Sequence, residues 1–208
     1  MFITFEGPDG SGKTTQITRL VDHLTAQGHS VLRLREPGGT RIGEQIREVL
    51  HSRANEEMNP HAEVLLYSAA RAQIVAEVIR PALEAGQVVV CDRFFDSTFA
   101  YQGYGHGLDF EALQAITEFA TGGLRPDLTI YIDLDPEAGL RRRQDDHDAE
   151  WNRLDALGLA FHRRVYEGYQ ALMRDEPERW ARVNGEQPVE AIQAEIRAIV
   201  AARLPKRA

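Results

Sequence analysis

Residues 7–14 read Gly7-Pro8-Asp9-Gly10-Ser11-Gly12-Lys13-Thr14, a full match to G-x-x-x-x-G-K-[ST]. This pattern constrains a fold more than most short motifs, because it works only between a strand that leads into it and a helix that leads out. Both are legible here. Phe2-Ile3-Thr4-Phe5 alternates and is rich in strand formers. Residues 14–26 place Ile17, Leu20, Val21 and Leu24 at helical spacing. The glycines let successive backbone N–H groups turn into one concavity, and the helix N-terminus adds positive potential there. In such a loop Lys13 reaches the β- and γ-phosphates of a nucleoside triphosphate, and the Thr14 hydroxyl binds Mg²⁺. Residue usage points the same way. The chain has 24 basic residues, and only Lys13 and Lys206 are lysine. Arginine is a planar fork, whereas lysine is a compact ammonium that a tight loop can wrap. The one interior exception to the chain's habit falls where phosphates need a point charge.

Four further apolar runs, residues 30–35, 88–92, 128–134 and 180–184, join residues 2–6 as strand candidates, with helical stretches between them. Strands alternating with helices predict an α/β fold: a five-stranded parallel sheet with helices on both faces. In such a sheet ligand groups gather at the carboxyl ends of the strands. That rule directs attention to residues 6–14, 35–40, 92–94, 133–135 and 184–187.

Length bounds the organisation, since 208 residues suit one domain, residues 1–208, with a small lid segment at about 141–155. A net charge of −8 disfavours general binding to nucleic acid or to an anionic membrane. No apolar run approaches the roughly 18 residues of a membrane span. A strand that starts at residue 2 leaves no room for a signal peptide. The single cysteine, Cys91, excludes an internal disulfide and suits a reducing, cytoplasmic setting. Within Val88-Val89-Val90-Cys91 it reads as a small buried residue rather than a nucleophile.

The remaining clusters each admit two readings when taken alone. Arg35-Glu36-Pro37-Gly38-Gly39-Thr40 at the second strand end is an irregular loop, either a plain turn or part of a site. Asp92-Arg93-Phe94 ends the third strand. The carboxylate can support Mg²⁺ and the arginine can bridge a phosphate, or the two can form a structural ion pair. Tyr67 and Arg71, four apart on a helix expected over residues 58–85, share a face. They fit a base-stacking pair, and by spacing alone they fit a core tyrosine beside a solvent arginine better. Ser97, Thr98, Tyr101 and Gln102 form a polar, aromatic strip just beyond Arg93. Arg141, Arg142, Arg143, Asp145, Asp146, Asp148 and Arg153 put charge on every face of their segment, which fits a solvated helix or a mobile lid over a nucleotide.

Taken in order, FEGPDGSGKTTQ, REPGGT, LLYSAARAQ, DRFFDSTFAYQG, the arginine-rich segment and FHRRVYEGY resemble the thymidylate kinases. These belong to the P-loop nucleoside monophosphate kinases. The first string alone indicates only a nucleoside triphosphate; the later ones in register are far more specific. The resemblance implies a P-loop NTPase-type sheet and transfer of the ATP γ-phosphoryl group to thymidine monophosphate, with ATP as co-substrate, Mg²⁺, and a homodimer. By the same resemblance Asp9 lies near the acceptor sugar's 3′-hydroxyl, and Tyr67 stands where an aromatic, usually phenylalanine, stacks on thymine. Arg71 recognises a thymine carbonyl, and Arg93 holds the acceptor phosphate. Thr98 stands where some relatives have an asparagine at the base edge, and Gln102 is a further base-edge candidate. Tyr101 crowds the sugar's 2′ position and so favours deoxyribose. Asp92 and Thr14 are the metal candidates. Some members carry an arginine in the loop just after the acidic residue. Here that position is Gly10, so the resemblance moves the catalytic arginine to the lid, with Arg153 first and Arg143 second.

Three rivals remain at this stage. One is a related kinase of another nucleotide. A second is a GTP-binding switch protein, which lacks its N/T-K-x-D segment because lysine occurs only at 13 and 206. The third is a regulatory ATP-binding module, which would keep the loop without needing Arg93 or the lid arginines.

Overall fold

The computed structural model describes residues 1–145 and 153–204. Five strands form one parallel sheet: β1 (Phe2–Glu6), β2 (Val31–Arg35), β3 (Val88–Asp92), β4 (Leu128–Asp133) and β5 (Trp180–Asn184), in the order β2-β3-β1-β4-β5. The strand count and orientation expected from the sequence hold, and strand ends agree to within a residue. Register brings the site-bearing ends level, since Arg35 and Phe5 both pair with Asp92 and Asp133 pairs with Asn184.

Among the described residues, nine α-helices surround the sheet: α1 (Lys13–Ala26), α2 (Arg41–His51), α3 (Pro60–Ile74), α4 (Arg80–Glu84), α5 (Phe95–Thr98), α6 (Phe110–Thr121), α7 (Pro136–Asp145), α8 (Gly158–Asp175) and α9 (Val189–Arg203). The strand period of two sorts side chains into two cores. Ile3, Phe5, Val90, Ile130 and Ile132 pack with Ile17, Leu20 and Leu24 of α1 and Ile192, Ile196 and Val200 of α9. The alternate positions Phe2, Val89, Cys91 and Tyr131 face the other way, against Val64 and Ile74 of α3, Leu113 of α6 and Val165 and Tyr169 of α8. β1 is buried at every position, as a central strand covered on both faces must be. Cys91 is a buried free thiol of this second core.

The helix expected over residues 58–85 is three pieces. It starts at Pro60, whose missing N–H suits the first turn, and the Asn59 side chain accepts from His61 N at 2.9 Å. A π-helical stretch, Val75–Ile79, then leads into α4. A second π-helical stretch, Phe99–Gly105, continues α5 and carries Tyr101 and Gln102. Such widened turns recur at functional sites.

Candidate functional site

A cleft of ≈ 460 Å³ opens over the carboxyl ends of β1, β2 and β3. Residues 7–12 join β1 to α1 and form its floor. Lys13 is buried at the helix start, and its Nζ donates to Gly7 O at 3.0 Å and Pro8 O at 2.9 Å. Burial and the neighbouring Arg93 lower its pKa to about 8, against the opposing pull of Asp9, Asp92 and Glu6. Added phosphate charge would favour the ammonium form. Gly7, Pro8 and Ser11 shape the loop without lining the cleft, whereas Asp9, Gly10, Gly12, Lys13 and Thr14 line it. The Thr14 hydroxyl donates to Asp92 Oδ2 at 3.4 Å. A hydroxyl beside a carboxylate is the hard oxygen set that suits Mg²⁺ bound largely through phosphate oxygens and water. Among the described residues no cluster of three or more acidic, His or Cys groups offers an all-protein cage.

Arg93, just beyond β3, has φ 67, the left-handed region that non-glycine residues adopt at a cost. Its side chain is held from four sides. Nη2 donates to Asp9 Oδ1 at 2.8 Å and to the Tyr101 hydroxyl at 3.1 Å, and Nη1 donates to Ser97 Oγ at 3.1 Å and to the Tyr169 hydroxyl at 3.2 Å. Beneath it lies Glu6, fully buried at the end of β1. Glu6 accepts from Phe94 N at 2.9 Å, Ser97 Oγ at 2.6 Å and Tyr169 OH at 2.7 Å. Burial pushes the Asp9 carboxyl up, but Arg93 and Lys13 outweigh it and hold Asp9 well below the usual carboxylate range. Asp9 also accepts from the Tyr101 hydroxyl at 3.2 Å. Glu6 and Tyr169 were not singled out from sequence. Glu6 precedes the glycine-rich loop and Tyr169 ends FHRRVYEGY, so motif position was the only signal.

One wall of the cleft is built by α3 against α5 and its π-helical continuation. Arg71 is almost fully buried. Its Nε donates to Glu36 Oε2 at 2.8 Å, its Nη1 donates to Thr98 Oγ1 at 3.0 Å, and its guanidinium lies 5.5 Å from the Phe94 ring centroid. Burial pushes the Glu36 carboxyl up to about 7, with Arg71 as the main opposing influence. Glu36 is presented by the irregular Pro37-Gly38-Gly39 loop, which Arg35 Nη1 fixes by donating to Pro37 O at 2.8 Å. Tyr67 lines the same wall, and its hydroxyl has no hydrogen-bond partner among the described residues. Gln102 Nε2 donates to Glu63 Oε1 at 2.6 Å.

The opposite side belongs to α7. Gly10 (φ 77) and Gly139 meet backbone to backbone: a Cβ on Gly139 would lie 2.6 Å from Asp9 O, and one on Gly10 would collide with Gly139 O. Position 10 therefore excludes a side chain while α7 sits here, and Arg142 and Arg143 from α7 line the cleft instead. Arg142 Nη1 donates to Gly185 O at 3.3 Å, tying α7 to the loop after β5. Arg143 lies 3.4 Å from Asp155 Oδ2. Arg141 points to Glu137 on an exposed face.

Arg153, expected first among the lid arginines, does not stand in the cleft. It is 4 % exposed, ion-paired with the fully buried Glu63, and its Nε donates to Leu50 O at 3.2 Å. A buried carboxylate needs a cation, and Glu63 takes this one. Sequence spacing could not show the pairing, because the partners lie 90 positions apart. Asp146 and Asp148, and with them the middle of the expected lid, lie outside the described residues.

The site thus brings together Asp9, Lys13, Thr14, Asp92, Arg93, Tyr67, Arg71, Thr98, Tyr101, Gln102 and Arg143 from separate stretches of chain. Residues 5–196 match the family described as thymidylate kinase. The chain belongs to the thymidylate kinase family. It is 52% identical to a thymidylate kinase of Roseiflexus castenholzii over 96% of this chain and 92% of that one. It is 50% identical to one of Exiguobacterium sp. over 94% and 92%. Among solved structures, a thymidylate kinase from Ehrlichia chaffeensis superposes with a TM-score of 0.79 at 30% identity, covering 96% of this chain and 98% of that one.

Proposed function

We propose that the cleft transfers the γ-phosphoryl group of ATP to dTMP, giving dTDP. The observation that carries this is the convergence at Arg93. A clamped guanidinium shares the cleft with the buried Lys13 ammonium, and both contact the Asp9 neighbourhood of the glycine-rich loop. Donor phosphates on Lys13 and an acceptor phosphate on Arg93 would be adjacent, and phosphoryl transfer needs alignment and charge neutralisation more than a covalent intermediate. Arg71 and Gln102 take the base edge, Tyr67 its face, and Tyr101, packed on Arg93 at 5.1 Å from the ring centroid, the sugar. Asp9 positions the sugar and needs no base role, since its depressed pKa makes it a weak proton acceptor. Mg²⁺, held through Thr14 and Asp92, would supply charge neutralisation between the phosphates. Arg143, with Arg142 beside it, is the lid arginine best placed to act.

The wider reading is a single-domain cytoplasmic enzyme acting as a homodimer. The buried free Cys91 suits a reducing compartment, and no described helix is long and apolar enough to cross a membrane. Leu65 of α3 and Phe119 of α6, on helices that pack together, are 56% and 92% exposed, apolar side chains that a second copy could cover.

ADP release measured across a panel of nucleoside monophosphates with ATP tests the proposal. Turnover should be greatest with dTMP. A higher kcat/KM with dCMP, dGMP or AMP would overturn it.

A further inference from the structure

Glu63 lies on α3 with no solvent exposure, and three groups converge on its carboxylate. Gln102 Nε2 donates to Oε1 at 2.6 Å, Arg153 pairs with Oε2, and His106 Nε2 lies 3.4 Å from Oε1. Glu63, Tyr67 and Arg71 follow at intervals of four and share a helix face. Two of them are rungs to the facing segment, Arg71 to Thr98 and Glu63 to Gln102. Burial pushes the Glu63 carboxyl up, but the neighbouring His106, the Arg153 pair and the Gln102 hydrogen bond outweigh it and hold it below its ordinary value.

An ionised carboxylate only accepts hydrogen bonds, whereas a carboxamide has a donor end and an acceptor end and can present either. Bound to Glu63, Gln102 must turn its amino end towards the carboxylate. Its Oε1 meets no donor among the described residues, and Gln102 lines the cleft. We infer that Glu63, paired with Arg153, sets which end of the Gln102 carboxamide meets the acceptor base, and so selects pyrimidines that carry a hydrogen on N3. This rests on Gln102 reading the base edge. Thymine and uracil offer N3–H beside a 4-carbonyl, which suits Gln102 Oε1 and the remaining N–H donors of Arg71. Cytosine offers an N3 lone pair beside a 4-amino group. Against it two acceptors would face each other, and the buried Oε1 would go unpaired. A turned amide would reverse that preference. Glu63 is thus a positioning residue for specificity, touching no substrate.

The test compares kcat/KM for dTMP with kcat/KM for 5-methyl-dCMP, which has the same shape but the opposite hydrogen-bonding edge. Glu63→Gln is isosteric and lets either amide end face Gln102, so the preference for dTMP should fall by about tenfold or more. A purely structural role would lower both values together and leave the ratio alone. Should Glu63→Gln fail to fold, the double variant Glu63→Met/Arg153→Met replaces the buried pair by apolar side chains of similar volume, a change proteins often tolerate. It should show the same loss of preference, because lid effects common to both acceptors cancel in the ratio. Gln102→Met is the control. If it lowers the ratio and the Glu63 variants leave it less than about fivefold changed, the inference is overturned while the base-edge reading stands. If Gln102→Met leaves the ratio unchanged, the base-edge reading falls and the inference falls with it.

Discussion

The two sides of the cleft are built differently. On the wall of α3 and α5, the proposed acceptor side, guanidinium and carboxamide groups are largely buried and held by short contacts. Arg93 is clamped from four directions, Arg71 is fixed by Glu36 and Thr98, and Gln102 is fixed by Glu63. On the α7 side, the proposed lid side, Arg142 and Arg143 reach partners at 3.3 and 3.4 Å, and Arg141 lies on an exposed face. Short, charge-assisted bonds define a geometry before any ligand arrives, whereas longer, partly exposed ones are more easily exchanged for phosphate oxygens. The acceptor side therefore suits recognition, and the lid side suits charge that is recruited as the reaction proceeds.

The largest effect should come from the loop both sides share. Lys13→Ala should abolish turnover while leaving the melting temperature within a few degrees of wild type. Lys13→Arg should be nearly as damaging, because a fork cannot fit between the Gly7 and Pro8 carbonyls that receive the ammonium. Near-normal turnover of Lys13→Arg would show that the loop wants charge rather than shape.

Next in size is the lid side. Arg143→Ala should lower kcat by about 10²-fold or more while changing the KM for dTMP little, as expected of an interaction that strengthens in the transition state. Arg153→Ala should act differently. Loss of the cation strands Glu63 in the interior, so stability should fall by about 3–5 kcal/mol, measured by urea denaturation. If Arg153→Ala keeps full stability and loses kcat alone, Arg153 is catalytic and leaves Glu63 during turnover. Gly139→Ala, which aims a methyl at Asp9 O, should also reduce kcat by displacing α7 from the loop.

On the acceptor side the expected loss moves from rate to affinity. Arg71→Ala should raise the KM for dTMP by an amount worth about 1–3 kcal/mol and leave the KM for ATP near wild type. Equal losses for both substrates would erase the distinction between the two sides.

The same contrast explains what could be read from sequence. The loop, the parallel sheet and the strand-end groups were legible because each is local: a motif, a period of two, a polar residue where an apolar run stops. Arg71 and Gln102 were legible through family motifs. Glu6, Glu36 and Glu63, which hold Arg93, Arg71 and Gln102, were not assigned roles. Each is a buried carboxylate whose partner is 35 or more positions away, and nothing local marks a glutamate as buried. Arg153 was placed at the reaction centre for the same reason, since its pairing with Glu63 exists only in three dimensions. The break of the long helix at Val75–Ile79 was likewise not legible, because a widened turn keeps the apolar rhythm of the helix around it.

The smallest expected effect is the most diagnostic of how the acceptor side is built. Burial raises the Glu36 pKa from its ordinary 4.5 to about 7. Between those values the folded state holds a proton that the unfolded chain has released. The group's contribution to stability is therefore fully present below about 4.5 and is lost as pH rises through about 7. Glutamine mimics the protonated form, so Glu36→Gln should gain stability relative to wild type across that window, by on the order of 1–3 kcal/mol. Function should run the other way. Above pH 7 the ionised Glu36 grips Arg71 through Nε, and below it the neutral acid grips it less. The KM for dTMP should therefore rise in wild type as pH falls through 7, and this rise should be absent from Glu36→Gln. The dTMP phosphate titrates in the same range, but it does so for both proteins and cancels in their ratio. Parallel KM–pH curves for the two proteins would mean that Arg71 is held by Thr98 and Phe94 without the carboxylate's charge, and that the acceptor side owes its rigidity to packing rather than to its buried ion pair.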